Sequence, residues 1–404
     1  TTAIRIPIAP KSVLISLSVL STLSLFAICA VGFLGPRDPL INLLPLFFWT
    51  GFWVILFVAA GVIGNFWIWL NPWSGVCYLI LGRAARRPPF KLSERLGIAP
   101  AICLFLLFFA FSIADPAPDD PDRLAYIVLT YWLVNFAAMT AFGCEEWMRR
   151  GEAFTVFFDQ ISRVAVVKWA QGLSLGFPGW QLVKGRSNSI GFGVLALVVL
   201  GAGSFDGLKE TFWWLALLGI NPLEFPGRTA VMTSSLVGMI LCVVALIGAF
   251  AAVAWIGKAL GNRGKSEGDQ ISLRAMFCAF APTVLPIALA FHASHFTVTF
   301  LINGQYLLAA MGDPLANGSN LFGLGQVRVT TGFLNAPNSV KTIWLSQAGM
   351  VVFGHILAVV LSHRKALLLF ERGKHAVLSQ IPLGAFMVLY TLFGLWLLAT
   401  PRGI

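Results

Sequence analysis

The sequence predicts an all-α fold, a polytopic transmembrane helical bundle of about nine spans with its amino end cytoplasmic. Three observations carry this. Of 404 residues, 58% are hydrophobic and only 11% charged. Apolar runs of membrane-crossing length recur along the whole chain. Lysine and arginine fall on alternate connections between those runs. A soluble domain carries about a quarter charged residues, so this surface needs lipid as its solvent, and residues 1–404 read as one transmembrane domain.

A transmembrane helix needs roughly 20 apolar residues. Such runs lie at 12–34, 43–70, 96–115, 124–148, 190–206, 229–257, 275–302, 342–363 and 379–400, the fifth being the shortest. Of the 28 basic residues, 21 lie at the amino end and on the connections after the second, fourth, sixth and eighth runs. Arg5, Arg83, Arg86, Arg87, Arg186 and Arg372 are among them, and Arg402 is among the seven on the other side. The positive-inside rule then places the amino end in the cytoplasm and the chain in a bacterial inner membrane. Trp67, Trp69, Trp73, Trp147 and Trp255 fall at inner ends of spans, and Trp213, Trp214, Trp344 and Trp396 at outer ends, as headgroup-level anchors do. The net charge of +11 forms no basic stripe interleaved with aromatics, so nucleic acid is not expected as a partner.

The chain opens without a charged n-region, short apolar core and cleavage site, and no cleaved signal is expected. Six cysteines stand apart, at 29, 77, 103, 144, 242 and 278. Their spacing rules out a zinc ribbon and argues against a disulfide framework.

Three connections are expected to be more than tethers. Residues 151–188 alternate apolar runs with Arg163 and Lys168 and read as a cytoplasmic amphipathic segment lying on the inner leaflet. Residues 208–221 read as a short outer interfacial helix stopped by Asn221-Pro222. Residues 303–341 read as a long periplasmic loop, whose apolar residues, Tyr306, Leu307, Leu308, Phe322, Leu324, Phe333 and Leu334, need a surface to pack on. Ser234, Gly238, Cys242, Ala245 and Ala249 make the sixth run a central packing helix.

The residues suited to chemistry are few. His292 and His295 share one helix face, and His355 sits deep in the following run. Ionisable groups inside a membrane are costly and mark function. Imidazole binds a divalent metal or haem b, or relays protons; it also serves as interhelical glue through a hydrogen bond. Asp206 and Asp313 lie on the outer side and could supply oxygen ligands to the same site. Pro282 and Pro286 disturb the helix just before the histidines. Glu145 and Glu146 lie one turn before Arg149 and Arg150, either as an ion pair at the inner interface or as carboxylates facing the inner mouth of a pathway. No Walker A, GxSxG, HExxH or Rossmann fingerprint occurs in its proper context, and no internal repeat is evident.

GNFWIWLNPWSG at 64–75, FGCEEW at 142–147, SFDG at 204–207, the stretch from His295 to Gln305, GHILAVVLSHRKA at 354–366 and LFGLWLL at 392–398 occur in an order that resembles a bacterial family of integral membrane proteins. That family takes its name, fenitrothion hydrolase, from the membrane component of an organophosphate-degrading system. The resemblance runs over most of the chain. It implies a subunit of a larger complex, with a protein partner on the periplasmic face. Metal-assisted phosphotriester hydrolysis wants a compact set of His and carboxylate ligands with an open position. A small-solute or metal-ion transporter and a haem-binding electron-transfer subunit are the other readings.

With nine crossings, a reporter fused after Ile404 is expected to behave as periplasmic; cytoplasmic activity there would overturn the charge map.

Overall fold

The computed structural model describes residues 2–4, 11–82, 88–170, 172–185, 189–224, 227–323, 327–370 and 373–401. Arg5, Arg83, Arg86, Arg87, Arg186, Leu324, Arg372, Arg402 and Ile404 lie outside the described residues.

Each of the nine apolar runs is helical. A strand, β1 (Thr2–Ile4), comes first, followed by α1 (Lys11–Leu34) and α2 (Leu43–Val62), which winds as a π-helix over Leu46–Leu56. Next come α3 (Ser74–Leu81), α4 (Ala99–Ala114), α5 (Pro121–Phe142), α6 (Cys144–Arg150) and α7 (Ala153–Ile161). A hairpin of β2 (Val167–Ala170) and β3 (Gly172–Leu175) precedes α8 (Ile190–Lys209), α9 (Phe212–Leu217) and α10 (Arg228–Gly261). The chain continues as α11 (Leu273–Phe280), a tight turn at Ala281–Val284, α12 (Leu285–His295), α13 (Thr297–Gly312), α14 (Pro337–Leu369) and α15 (Gly373–Ala399).

Eight helical segments among the described residues are long and apolar enough to cross a membrane. The remaining run, the third, is α4, with 16 residues, about 24 Å at 1.5 Å per residue. Burial ranks the spans. The segment ending at His295 is 83% buried and α8 67%, while α1, α10, α14 and α15 run from 17% to 28%. The first two form the centre, and the others present apolar faces outward. Packing on α10 falls on Gly238, Leu246, Phe250, Ala254, Gly257 and Gly261, while Ala245 and Ala249 are exposed. Its small-residue stripe is therefore only partly used, although the helix packs on α4, α8, α11 and α15.

The helices bring the basic connections to one end, the basic end. There Arg150 donates to the carbonyls of Gly97 and Ser93, at 2.9 and 2.5 Å, and Lys365 to that of Gly185, at 2.8 Å. At the far end Arg228 donates to the carbonyls of Asp115 and Ser112, and Arg37 pairs with Asp122.

The segment at 151–188 does not lie flat with one apolar face outward. Helix α7 is enclosed: Phe154, Val156, Phe157, Phe158 and Ile161 are all buried. Phe157 stacks on Phe105 at 4.8 Å and meets Phe57 edge-on at 4.8 Å, and Trp53 meets Phe108 at 4.6 Å. Each such ring pair adds about 0.5–1.5 kcal/mol beyond area burial. Further on, β3 pairs antiparallel with both β1 and β2 in a three-stranded sheet, an exception to the helical pattern that the apolar composition concealed.

Two boundaries also move. Residues 303–312 belong to α13, so the long connection is 313–336, with a 3₁₀ turn at Gly332–Asn335. Leu307 packs against Leu43 and Leu46 of α2. The outer interfacial helix α9 ends at Leu217, closed by Ile220 N–H on the Leu215 carbonyl at 2.9 Å, before Asn221-Pro222 is reached. The cysteines are not all solitary: Cys77 and Cys144 form a disulfide, with Cα atoms 6.6 Å apart, because α3 and α6 fold to the same end of the bundle.

Helix α7 depends on Glu152. Its fully buried carboxylate accepts from Phe154 N–H at 3.0 Å, Thr155 N–H at 2.5 Å and the Tyr131 hydroxyl at 2.5 Å. Glu152→Ala is expected to leave these donors unmatched, at roughly 1–3 kcal/mol for each one that water does not reach. Thermal unfolding in detergent should show a clear drop in midpoint, and an unchanged midpoint would mean that the cap is dispensable.

Candidate functional site

Two polar regions stand out. The first is the far-end half of the central helices. Asp206 and Lys209 lie one turn apart on α8, and His295 closes α12. His295 Nε2 is 3.5 Å from Asp206 Oδ2, and Lys209 Nζ is 3.3 Å from Asp206 Oδ1 and 3.5 Å from Glu210 Oε1. All four side chains are largely withdrawn from solvent. A carboxylate only accepts, so His295 Nε2 carries the proton facing Asp206. Among the described residues its Nδ1 is buried with no partner.

His292, one turn earlier, is also buried. Its Nε2 donates to the Trp53 carbonyl at 2.9 Å, and its ring stacks on Phe57 at 3.9 Å. The carbonyl fixes the tautomer, leaving Nδ1 as the acceptor. His292, His295 and Asp206 line one cavity of about 20 Å³, with Trp53, Phe57 and Phe291 among its other walls. That volume holds one water.

His355 is buried but faces elsewhere. Its Nδ1 donates to the Val351 carbonyl at 2.8 Å, and its ring lies 6.4 Å from that of Tyr390. The Tyr390 hydroxyl pairs with Ser204 Oγ of α8 at 2.6 Å. Helices α12 and α14 pack closely here: a Cβ on Gly354 would lie 2.4 Å from that of Ala290, so only glycine fits. Asp313 caps its own loop, accepting from Asn317 and Gly318 N–H at 3.0 and 2.8 Å. Of the residues expected to share a metal, the structure joins His295 to Asp206, sets His292 on the same cavity, and places His355 and Asp313 apart. Among the described residues no three His, Cys, Asp or Glu side chains converge as metal ligands.

The second region is a cleft of about 910 Å³ at the basic end. Asn65, Asn71, Ser74 and Thr155 line it together with Glu94, Glu145, Glu146, Asp159 and three arginines. Glu146 pairs with both Arg149 and Arg150, and Arg163 with Asp159. The hydrogen bonds from Arg150 and Arg149 hold the Glu146 carboxyl below the ordinary carboxylate range. Glu146 is thus the ion-paired residue of the two, and Glu145 faces the cleft.

Sequence reasoning missed Lys209, Trp53, Tyr390 and Glu152. Lys209 was legible as the i+3 neighbour of Asp206; nothing local announces that the Trp53 carbonyl meets His292, 239 residues away.

Comparison with protein-family models, with curated proteins and with solved structures gives no match. The fold defines the class, an all-helical membrane protein with a polar cluster among its central helices.

The His292 geometry separates two contributions. His292→Phe keeps a ring on Phe57 and loses one hydrogen bond, an expected cost of about 1 kcal/mol. His292→Ala also empties the space beneath Phe57, at roughly 2–4 kcal/mol. Unfolding followed by tryptophan fluorescence would rank them; equal losses would show that the stack carries no weight.

Proposed function

We propose that this chain is a proton-coupled membrane transporter for a small polar solute. One observation carries the reading: an Asp206–His295 pair, with Lys209 on the same carboxylate, set among central helices beside a cavity sized for one water. Ionisable groups withdrawn from solvent among apolar helices mark function, and imidazole is the side chain that changes charge near neutral pH.

The arrangement supports a simple cycle. A proton reaching His295 Nδ1 by way of the cavity makes an imidazolium already paired to Asp206. That charge competes with Lys209 for the carboxylate, so proton uptake loosens the link from Asp206 to the end of α8. Loss of the proton restores it. The basic-end cleft, within the size range of small-molecule sites, is the solute's entrance. Between the two lie the rings of Phe57, Phe105 and Phe157, which separate them.

A second reading follows from the family resemblance, the membrane subunit of a hydrolase complex. Leu315, Leu321 and Phe322 favour it, because they stand exposed on the 313–336 connection at the same end as His295 and offer a partner an apolar seat.

Charge movement tests the first reading. Proteoliposomes adsorbed on a solid-supported membrane are expected to give a transient current on a pH jump. Asp206→Asn and His295→Gln should each reduce it at least about tenfold, as loss of an essential proton carrier does. Folded variants that keep wild-type currents would overturn the reading.

A further inference from the structure

We infer that the Cys77–Cys144 pair is a reversible redox latch on the basic-end cleft, opened by a reducing dithiol. The inference does not depend on what the cleft admits.

Position comes first. Cys77 lies one turn after Ser74 on α3, and Cys144 begins α6, immediately before Glu145 and Glu146. Ser74 stands on one wall of the 910 Å³ cleft, and Glu145, Glu146, Met148, Arg149 and Arg150 on another. A second cavity of about 520 Å³ adjoins it and shares Ile68, Ser74, Glu145, Glu146 and Met148. The bridge therefore ties together two walls of one continuous space. It is the main tie between them, since α3 packs chiefly on α1 and α6 chiefly on α5 and α7.

Hinges flank the bridge. Gly143, at φ 90°, separates α5 from α6, and Gly82, at φ 47°, ends α3. Residues with a side chain rarely adopt either conformation. The seven-residue α6 is anchored on one side by the buried Trp147, which donates to Asn135 Oδ1 of α5 at 2.9 Å and stacks on Phe142, and by the Arg150 contacts to the carbonyls of Gly97 and Ser93; at its Cys144 end the covalent bond ties it to α3. Without the bond, the Cys144 end of α6 is released from α3 beside Gly143 while Trp147 still holds the helix to α5, and the cleft widens on that side.

Compartment and access supply the redox argument. The positive-inside rule places this end toward the cytosol, where thiols are kept reduced and disulfides are transient. Cys77 is buried, whereas Cys144 is half-buried and lines the second cavity. A thiolate of a cytosolic dithiol entering there attacks Cys144 Sγ, and Cys77 leaves as a thiolate and takes up a proton. The second thiol of the reductant then displaces Cys144 from the mixed disulfide. The bridge gains two electrons and two protons as two thiols, and the dithiol departs as its own disulfide. For closure, the Cys144 thiolate attacks glutathione disulfide and releases one glutathione, and the Cys77 thiolate then displaces the second from Cys144, so that the two thiols lose two electrons and two protons and two glutathione thiols leave.

Two measurements test this. Cells are quenched in acid and their membranes labelled with a mass-adding maleimide. Growing cells are expected to show Cys77 and Cys144 as free thiols, identified by two fewer labels in the Cys77→Ser/Cys144→Ser double variant. Treatment with a thiol oxidant should bond the pair in the wild type. A pair that stays bonded in growing cells and resists a reducing dithiol in isolated membranes would overturn the inference. Second, hydrogen exchange in the peptide covering 144–150 is expected to speed up about threefold or more when purified oxidised protein is reduced, as for a local opening. Equal rates in the two forms would remove the latch even if the bond itself is reversible. Cys144→Ser should exchange at the reduced rate whatever the oxidant. The comparison of oxidised with reduced wild type stands without it.

Discussion

A hydrogen-bonding group withdrawn from water must find its partner within the protein, and a free one costs several kcal/mol. Much of this bundle follows from that constraint. Tryptophan rings bury well but bring an N–H with them, so Trp73 donates to the Trp132 carbonyl and Trp132 to that of Pro72. Ser18 and Thr22 of α1 reach the carbonyls of Asn71 and Pro72, where the chain turns into α3. These bonds fix α1, α3 and α5 to one another at the basic end. The same rule admits α7 to the interior, because Glu152 meets its first free N–H groups.

The candidate site departs from the rule in a telling place. His292 satisfies one ring nitrogen with a backbone carbonyl contributed by the π-helical part of α2. His295 satisfies one with Asp206 and leaves Nδ1 bare. The cavity beside that atom has room for one water, which would satisfy it. Lys209 meets Asp206 Oδ1 and the His295 ring meets Oδ2, so the carboxylate is shared between a permanent cation and an imidazole. A shared anion of this kind is poised between two arrangements rather than committed to one.

How much of this the residues disclosed on their own depended on range. All nine apolar runs became helices because hydropathy acts locally, and α8 extends to 20 residues once Asp206 and Lys209 are seen as its final turn. His292, His295 and His355 were recognisable as interior, since a polar ring facing hydrocarbon is disfavoured. Their grouping was not recognisable. His355 points to Tyr390, and Asp313 is spent on its own loop; both outcomes are set by helix rotation and loop closure, which spacing does not encode. Arg163 and Lys168 gave the 151–188 segment the pattern of a surface helix; in the fold Arg163 pairs with Asp159 of α7 at the cleft, and the rest of α7 is enclosed. Cys77 and Cys144, 67 residues apart, meet only through the tertiary fold.

The small sheet sets an order of assembly. Strand β1 lies before α1, yet among the described residues the strand it pairs with is β3, about 170 residues later, after α1 to α7 have been synthesised. Among the described residues of that interval no strand pairs with β1, which meets β3 on the edge opposite β2. An unfilled strand edge accepts any extended segment that reaches it. The amino-terminal strand is therefore the last joint of this half of the molecule to close, and the one most open to capture while the chain is still being made.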